Sequence, residues 1–269
     1  MRLNLPVEFL RGYRSGSQRA RVVTEPWAAE NLYCPSCPSP RLLPLKTNTP
    51  AKDFCYPDCD EVFQLKGQKK PLTHRISDSA YKTMSEAVRS GETPSFFGLH
   101  YDAEEWVVRN LVLIPRFVLS LSAIHKRKPL SARAERRGWV GCDILLDAIP
   151  NHARISVVEE GVTRKPQHVR EEFADLRGLK RRRVENRGWV MDVLKVVQDI
   201  GKPEFLLAEV YEAQGHLKKL HPNNRHIRDK IRQQLQVLRD LGFVEFLGGG
   251  GIGCGSVLWS AGRQPRCLF

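Results

Sequence analysis

Two metal-binding patterns are threaded through each other between Cys34 and Lys66. One is a cysteine series, Cys-x2-Cys-x17-Cys-x3-Cys, at Cys34, Cys37, Cys55 and Cys59; the other is Asp53 followed by Gln64-Leu65-Lys66. Any fold of this chain has to serve both. Tetrahedral Zn2+ takes four thiolates most readily from two short knuckles separated by a loop or hairpin, which is what the cysteine spacing offers. The residues between and beside them, Pro35, Ser36, Pro38, Pro57 and Asp58, are turn formers rather than core residues, which weighs against the alternative of four buried, unpaired thiols. A Zn2+ ion with four protein ligands has no open position, so the site is expected to be structural.

In Phe63-Gln64-Leu65-Lys66 polar and apolar residues alternate, as on a strand whose side chains point to opposite faces. Gln64 and Lys66 then project together while Phe63 and Leu65 pack inward. If Asp53 lies on the neighbouring strand, the hairpin that carries the second knuckle brings its carboxylate beside Gln64, where Mg2+ can be held by oxygen ligands and phosphate. Lys66 then stands next to the attacking water or the phosphate. Metal-assisted phosphodiester hydrolysis needs these parts: a Lewis acid, an activated water and a cation for the developing charge. The alternative is an ordinary solvated strand face.

A chain of 269 residues can form one large or two modest domains, and its net charge of +13 calls for a polyanionic partner. Charge alone does not choose between DNA and RNA. Seven cysteines, an odd number, and a polar N-terminus without a secretory signal indicate a reducing, cytoplasmic setting; Cys142, Cys254 and Cys267 stand outside the cluster. The most apolar window, Trp106 to Ile124, contains Arg109, Pro115 and Arg116, which suits buried strands and not a membrane helix.

The pattern predicts a helix capped by Ser17 and running toward Trp27, another from Ser77 to Arg89, and strands at Phe96 to Tyr101, Trp106 to Leu113 and Gly141 to Leu146, so the fold is mixed α/β. Before the last strand, basic residues from Lys126 to Arg137 lead into Gly138 and Trp139 and suit a DNA-facing loop, with Arg137 and Trp139 as contact candidates; a solvated loop with a tucked-in tryptophan is the alternative. The run Lys180 to Arg183 marks a domain boundary. Beyond it come a helix with Val190, Val193, Leu194, Val197 and Ile200 on one stripe, a second from Leu206 to Leu220, and a third from Asn224 to Leu241 with Ile227, Ile231, Leu235 and Leu238 inward. A strand at Phe243 to Phe246 completes a winged helix, whose third helix offers Arg228, Lys230, Arg232, Gln233 and Gln236 to the major groove. A helical bundle that docks a protein partner is the alternative.

The segments Gly16-Ser17-Gln18-Arg19-Ala20-Arg21, Tyr33-Cys34-Pro35-Ser36-Cys37, Asp53-Phe54, Phe63 to Lys66, Arg127-Lys128-Pro129-Leu130, Arg137 to Cys142, Arg187-Gly188-Trp189 and Lys230 to Gln236 resemble, in order, the DpnI family of restriction endonucleases. The resemblance implies a PD-(D/E)xK nuclease core with an embedded zinc site over residues 1–180, a winged-helix DNA-binding domain over 181–248, and cleavage of double-stranded GATC whose adenine carries a 6-methyl group. It implies structural Zn2+, catalytic Mg2+ with Asp53 and Gln64 as ligands and Lys66 beside them, a monomer on methylated DNA, and Trp139 as part of a methyl sensor. Three departures stand out. Gln64 occupies the place of an acidic ligand, so a non-cleaving methylated-DNA-binding protein is the second reading; the second knuckle is Cys-x3-Cys in place of Cys-x2-Cys, and residues 249–269 read as an irregular tail foreign to the domain.

Overall fold

The computed structural model describes residues 1–39, 41–45, 52–56, 59 and 61–259. In chain order the first part comprises α1 (Gly16–Asn31), β1 (Leu43–Pro44), β2 (Phe54–Tyr56), β3 (Glu61–Gln68), β4 (Arg75–Ala80), α2 (Tyr81–Ser90), β5 (Ser95–Asp102), β6 (Val107–Ile114), β7 (Ile124–Lys126), β8 (Gly141–Leu145), β9 (Ile155–Glu159), β10 (Val162–Thr163) and α3 (Pro166–Leu176). Seven strands form one sheet in the order β1-β2-β3-β5-β6-β9-β10, and β4-β8-β7 form a second. Among the described residues only β3 and β5 of the large sheet run parallel, the chain crossing from one to the other through β4 and α2; its other pairs are antiparallel. Parallel strands are covered on both faces, and β5 with its buried Phe96, Phe97 and Leu99 reads accordingly as a continuous apolar run. Against these strands pack Val23, Trp27 and Ala28 of α1, Met84 and Val88 of α2, and Val169, Phe173 and Leu176 of α3.

Local readings shift in instructive places. Helix α1 begins at Gly16, with Ser15 and not Ser17 at the N-cap position and no side-chain capping bond, and continues past Trp27 to Asn31. The stretch from Ser77 to Arg89 is not one helix: Arg75-Ile76-Ser77-Asp78 alternates between exposed and buried residues as strand β4, and the helix begins only at Tyr81. The apolar window after Trp106 is strand β6, deep in the sheet, followed by short 3-10 turns. Among the described residues no helix is long and apolar enough to cross a membrane.

The C-terminal part comprises α4 (Val184–Ile200), β11 (Glu204–Leu206), α5 (Leu207–Glu212), α6 (Gln214–Leu220), α7 (Ile227–Asp240), β12 (Val244–Gly248), β13 (Gly251–Cys254) and α8 (Ser256–Trp259). The expected single helix over Leu206 to Leu220 is thus a strand residue and two helices that meet at Ala213, and the third helix starts at Ile227, after His226 rather than at Asn224. Three helical units and a three-stranded antiparallel sheet in the order β11-β13-β12 make a winged helix. Helix α4 joins the two parts. Its buried Asp192 accepts hydrogen bonds from Ser122 Oγ (2.6 Å), in the first part, and pairs with His221 Nε2 (2.7 Å), whose ring stacks on Trp189 with centroids 3.7 Å apart.

The expected tail from 249 is corrected most strongly. Gly248, Gly249 and Gly250 all take positive φ (83°, 58° and 83°), a backbone that side chains resist, and so turn the chain back into β13. That strand is the central one of the small sheet, with Ile252 buried between Phe205 and Phe246 in register. Cys267 lies outside the described residues. Truncation after Gly248 therefore deletes the middle strand, whereas truncation after Trp259 does not. The shorter chain should lose several degrees in Tm and most of its DNA affinity, read by scanning calorimetry and a fluorescence-anisotropy titration, while the longer one keeps both.

Candidate metal centres and nucleic-acid interface

Three cysteines meet. The sulfur atoms of Cys34, Cys37 and Cys59 lie within 4.8 Å of one another, with Cys34 and Cys59 at 3.5 Å. The first knuckle is tied to α3, where Arg170 donates to the carbonyls of Cys34 (3.1 Å) and Ser39 (3.0 Å) and Arg177 donates to that of Ser36 (2.7 Å). Burial pushes the thiols of Cys34 and Cys59 above their ordinary range, so a soft cation that stabilises thiolate is the natural complement of the cluster. Cys34, Cys37 and Cys59 fit Zn2+. Cys55, expected as the fourth ligand, is not among them: it sits within β2, paired with Leu43 and Val62, where successive side chains turn to opposite faces. With zinc bound, iodoacetamide should therefore modify Cys55 and spare Cys34, Cys37 and Cys59, as read by peptide mass mapping; protection of Cys55 to the same degree would restore the four-cysteine site.

Strand β3 carries the second candidate centre. The Asp53 N–H donates to the Phe63 carbonyl (2.9 Å), and its carboxylate Oδ2 accepts from the Leu65 N–H (2.8 Å), so Asp53 clasps the two residues that flank Gln64. The expected alternation is modified here, because β3 lies between β2 and β5 and Gln64 is 93% enclosed along with Phe63 and Leu65. Its Oε1 is buried and finds no hydrogen-bond partner among the described residues, an arrangement costly enough to ask for a ligand. Lys66 Nζ pairs at 2.6 Å with the buried carboxylate of Asp78. Burial lifts the Asp53 carboxyl above its ordinary range; the Leu65 N–H and the charges of Lys66 and Arg21 pull it down, and Asp78 pushes it up again. Asp53, Lys66 and Asp78 thus interact electrostatically, and Gln64 lies between the two β3 residues that Asp53 holds. Asp78 carries no sequence signal for this place, because the helical periodicity of Met84 and Val88 runs back over its strand.

A carboxyl whose folded pKa stands above its unfolded value contributes stability that is present at low pH and is lost as pH rises through that raised pKa. At neutral pH ionised Asp53 is thus a burden on the metal-free fold. Asp53→Asn should raise the metal-free Tm at pH 7 and leave it little changed near pH 4, which thermal melts at the two pH values check.

Beside this centre opens a cleft of about 920 Å3 lined by Arg19, Lys69, Lys70, Arg75 and Arg127, with Tyr101 and Trp106 on one wall. The basic loop folds back on itself through Leu130 N–H to the Trp139 carbonyl (2.9 Å) and Gly138 N–H to the Leu130 carbonyl (3.1 Å). Arg137 is exposed and Trp139 half-buried. The Trp139 ring lies over Gly141, where a Cβ would come within 2.7 Å of it, and the Arg136 guanidinium stands 4.8 Å from its centroid. In the winged helix, α7 buries Ile231, Gln234, Leu235 and Leu238 and exposes Arg228, Arg232, Gln233 and Gln236. Tyr211 anchors the arginines: its hydroxyl accepts from Arg232 Nε, and the Arg228 guanidinium stands 5.1 Å from its ring. Lys230 departs from this face, donating to Asn186 Oδ1 of α4 (3.2 Å) as well as to Gln233 Oε1 (2.8 Å), and burial lowers its pKa.

A nuclease-like α/β domain with an embedded thiolate cluster, joined to a winged helix-turn-helix domain, is the class these features define. The chain belongs to the DpnI family: the Dam-replacing family matches residues 1–182 and the Dam-replacing HTH domain matches residues 185–252. Membership points to methylation-dependent restriction and DNA binding, and the HTH match covers the hairpin at the glycine run.

Proposed function

We propose that this protein is a metal-dependent endonuclease that hydrolyses phosphodiester bonds of double-stranded DNA at GATC sites containing 6-methyladenine. What supports the reading is that Asp53 grips β3 on either side of Gln64, whose oxygen is buried without a partner among the described residues, while Lys66, two residues on, pairs with the buried Asp78 carboxylate. Asp53 and Gln64 are hard oxygen donors of the kind Mg2+ prefers, and Mg2+ held there supplies a Lewis acid for the phosphoryl oxygen. Lys66 brings a positive charge to the scissile phosphate, where charge develops as water attacks, in a pocket whose burial strengthens the interaction. The cleft with Arg19, Lys69, Lys70, Arg75 and Arg127 guides the phosphate backbone to this point.

Methyl reading is divided between the domains. Trp139 offers an apolar face in the nuclease part, with Arg137 beside it for phosphate; Arg228, Arg232, Gln233 and Gln236 on α7 offer hydrogen bonds to base edges. One buried methyl group is worth about 1 kcal/mol, so each domain alone discriminates only several-fold, and two readings in succession multiply.

The neutral Gln64 favours one competitor, a methylated-DNA-binding protein without cleavage. Digestion of methylated and unmethylated plasmid with Mg2+ or Mn2+ separates the two. The proposed nuclease cuts only the methylated plasmid, Asp53→Ala abolishes cutting while DNA affinity stays within about twofold, and Gln64→Glu maintains or raises the rate by restoring a charged ligand. Binding without cutting by the unaltered chain, together with cutting by Gln64→Glu, would establish the competitor.

A further inference from the structure

Resting on the nuclease reading, we propose that Asp78 is the second acidic group of the metal centre, supplying from β4 the charge that Gln64 does not supply from β3. A divalent cation held by Asp53 and a neutral amide alone faces a single negative charge, and its affinity falls with each carboxylate removed. The site holds a further carboxylate in reach. Asp78 has a side chain only 1% exposed, its Oδ1 lies 2.6 Å from Lys66 Nζ, and the charges of both Lys66 and Asp78 are felt by Asp53. Lys66 and the two carboxylates are therefore one electrostatic unit with room for more positive charge.

Two features of the backbone aim Asp78 at this point. Strand β4 pairs with β8 in register from Arg75 to Asp78, and then a bulge between Asp78 and Ala80 breaks the ladder. Bulges of this kind re-aim a side chain and gather beside active sites. The small sheet to which β4 belongs is separate from the sheet of β3, so the Lys66–Asp78 pair joins the two sheets through charge rather than through a ladder. The independent sign of a ligand is the Gln64 Oε1, buried and without a hydrogen-bond partner among the described residues. In the metal-free chain the lysine neutralises Asp78. With a divalent cation bound, Asp78 would supply it a charged oxygen donor, and the Lys66 ammonium would be left for the phosphate.

The test is Mn2+ binding to the full chain without DNA, measured by electron paramagnetic resonance of free Mn2+, with circular dichroism and zinc content verifying that each variant is folded. Asp78→Asn should weaken Mn2+ binding by about tenfold or more, and Gln64→Glu placed in that variant should recover most of the loss by returning the charge from the other strand. Lys66→Met separates a direct role from one exerted through the lysine. If Asp78 serves the cation, Asp78→Asn still weakens binding in the Lys66→Met chain; loss of the effect there would overturn the inference. So would Asp78→Asn binding Mn2+ as tightly as the unaltered chain while Asp53→Ala does not bind it, a result that leaves the nuclease reading standing. No Mn2+ binding by the unaltered chain would overturn both.

Discussion

Lys66 lies on an inner strand of the large sheet, where an ammonium left alone would meet a desolvation cost of several kcal/mol, and the Asp78 carboxylate 2.6 Å away compensates it. Much of the surrounding architecture follows from keeping that pair in place. Strand β4 has to leave the large sheet, pair with β8 and bulge at Asp78, while β5 returns to lie parallel to β3 and closes the other side. The buried acid of β3 itself, Glu61, is handled in the same way, paired with Lys180 (2.7 Å) and Arg116 (3.4 Å) where the chain leaves the first domain. Breaking a buried pair by removing one partner is far more damaging than never having had it, so the strand carries its chemistry at a cost met by partners from distant segments.

The thiolate cluster stands at the opposite end of the same hairpin. Asp53 precedes β2 and Cys59 follows it, so whatever orders the knuckles also sets the position of Asp53 relative to β3. Arg170 and Arg177 extend this to α3, and through Lys180 to α4, whose Asp192 reaches both Ser122 and His221. Thiolate cluster, β3 and winged helix are thus joined by short polar contacts as well as by the apolar core.

What the sequence revealed depended on how local the signal was. The alternation around Phe63 to Lys66 and the periodic stripes of α4 and α7 are local, and they placed Asp53, Gln64 and Lys66 on neighbouring segments and Arg228 and Arg232 on the exposed face of the third helix, but not Lys230, which turns to Asn186. Asp78 was hidden because the Met84 and Val88 periodicity of α2 ran backward over a short strand whose partner, β8, lies far along the chain. Cys55 stands apart from the three clustered cysteines because spacing fixes how far apart ligands are in sequence, while a strand decides which face each one takes. The glycine run gave no side-chain pattern at all, although its backbone freedom is what turns the wing.

A crystal of the full chain soaked in Mn2+ and measured for anomalous scattering tests the central claim most directly. The account predicts a peak about 2.0–2.4 Å from oxygens of Asp53, Gln64 and Asp78, beside Lys66. A well-diffracting soaked crystal with no peak at β3, or with the Gln64 amide turned away from any bound ion, would contradict it.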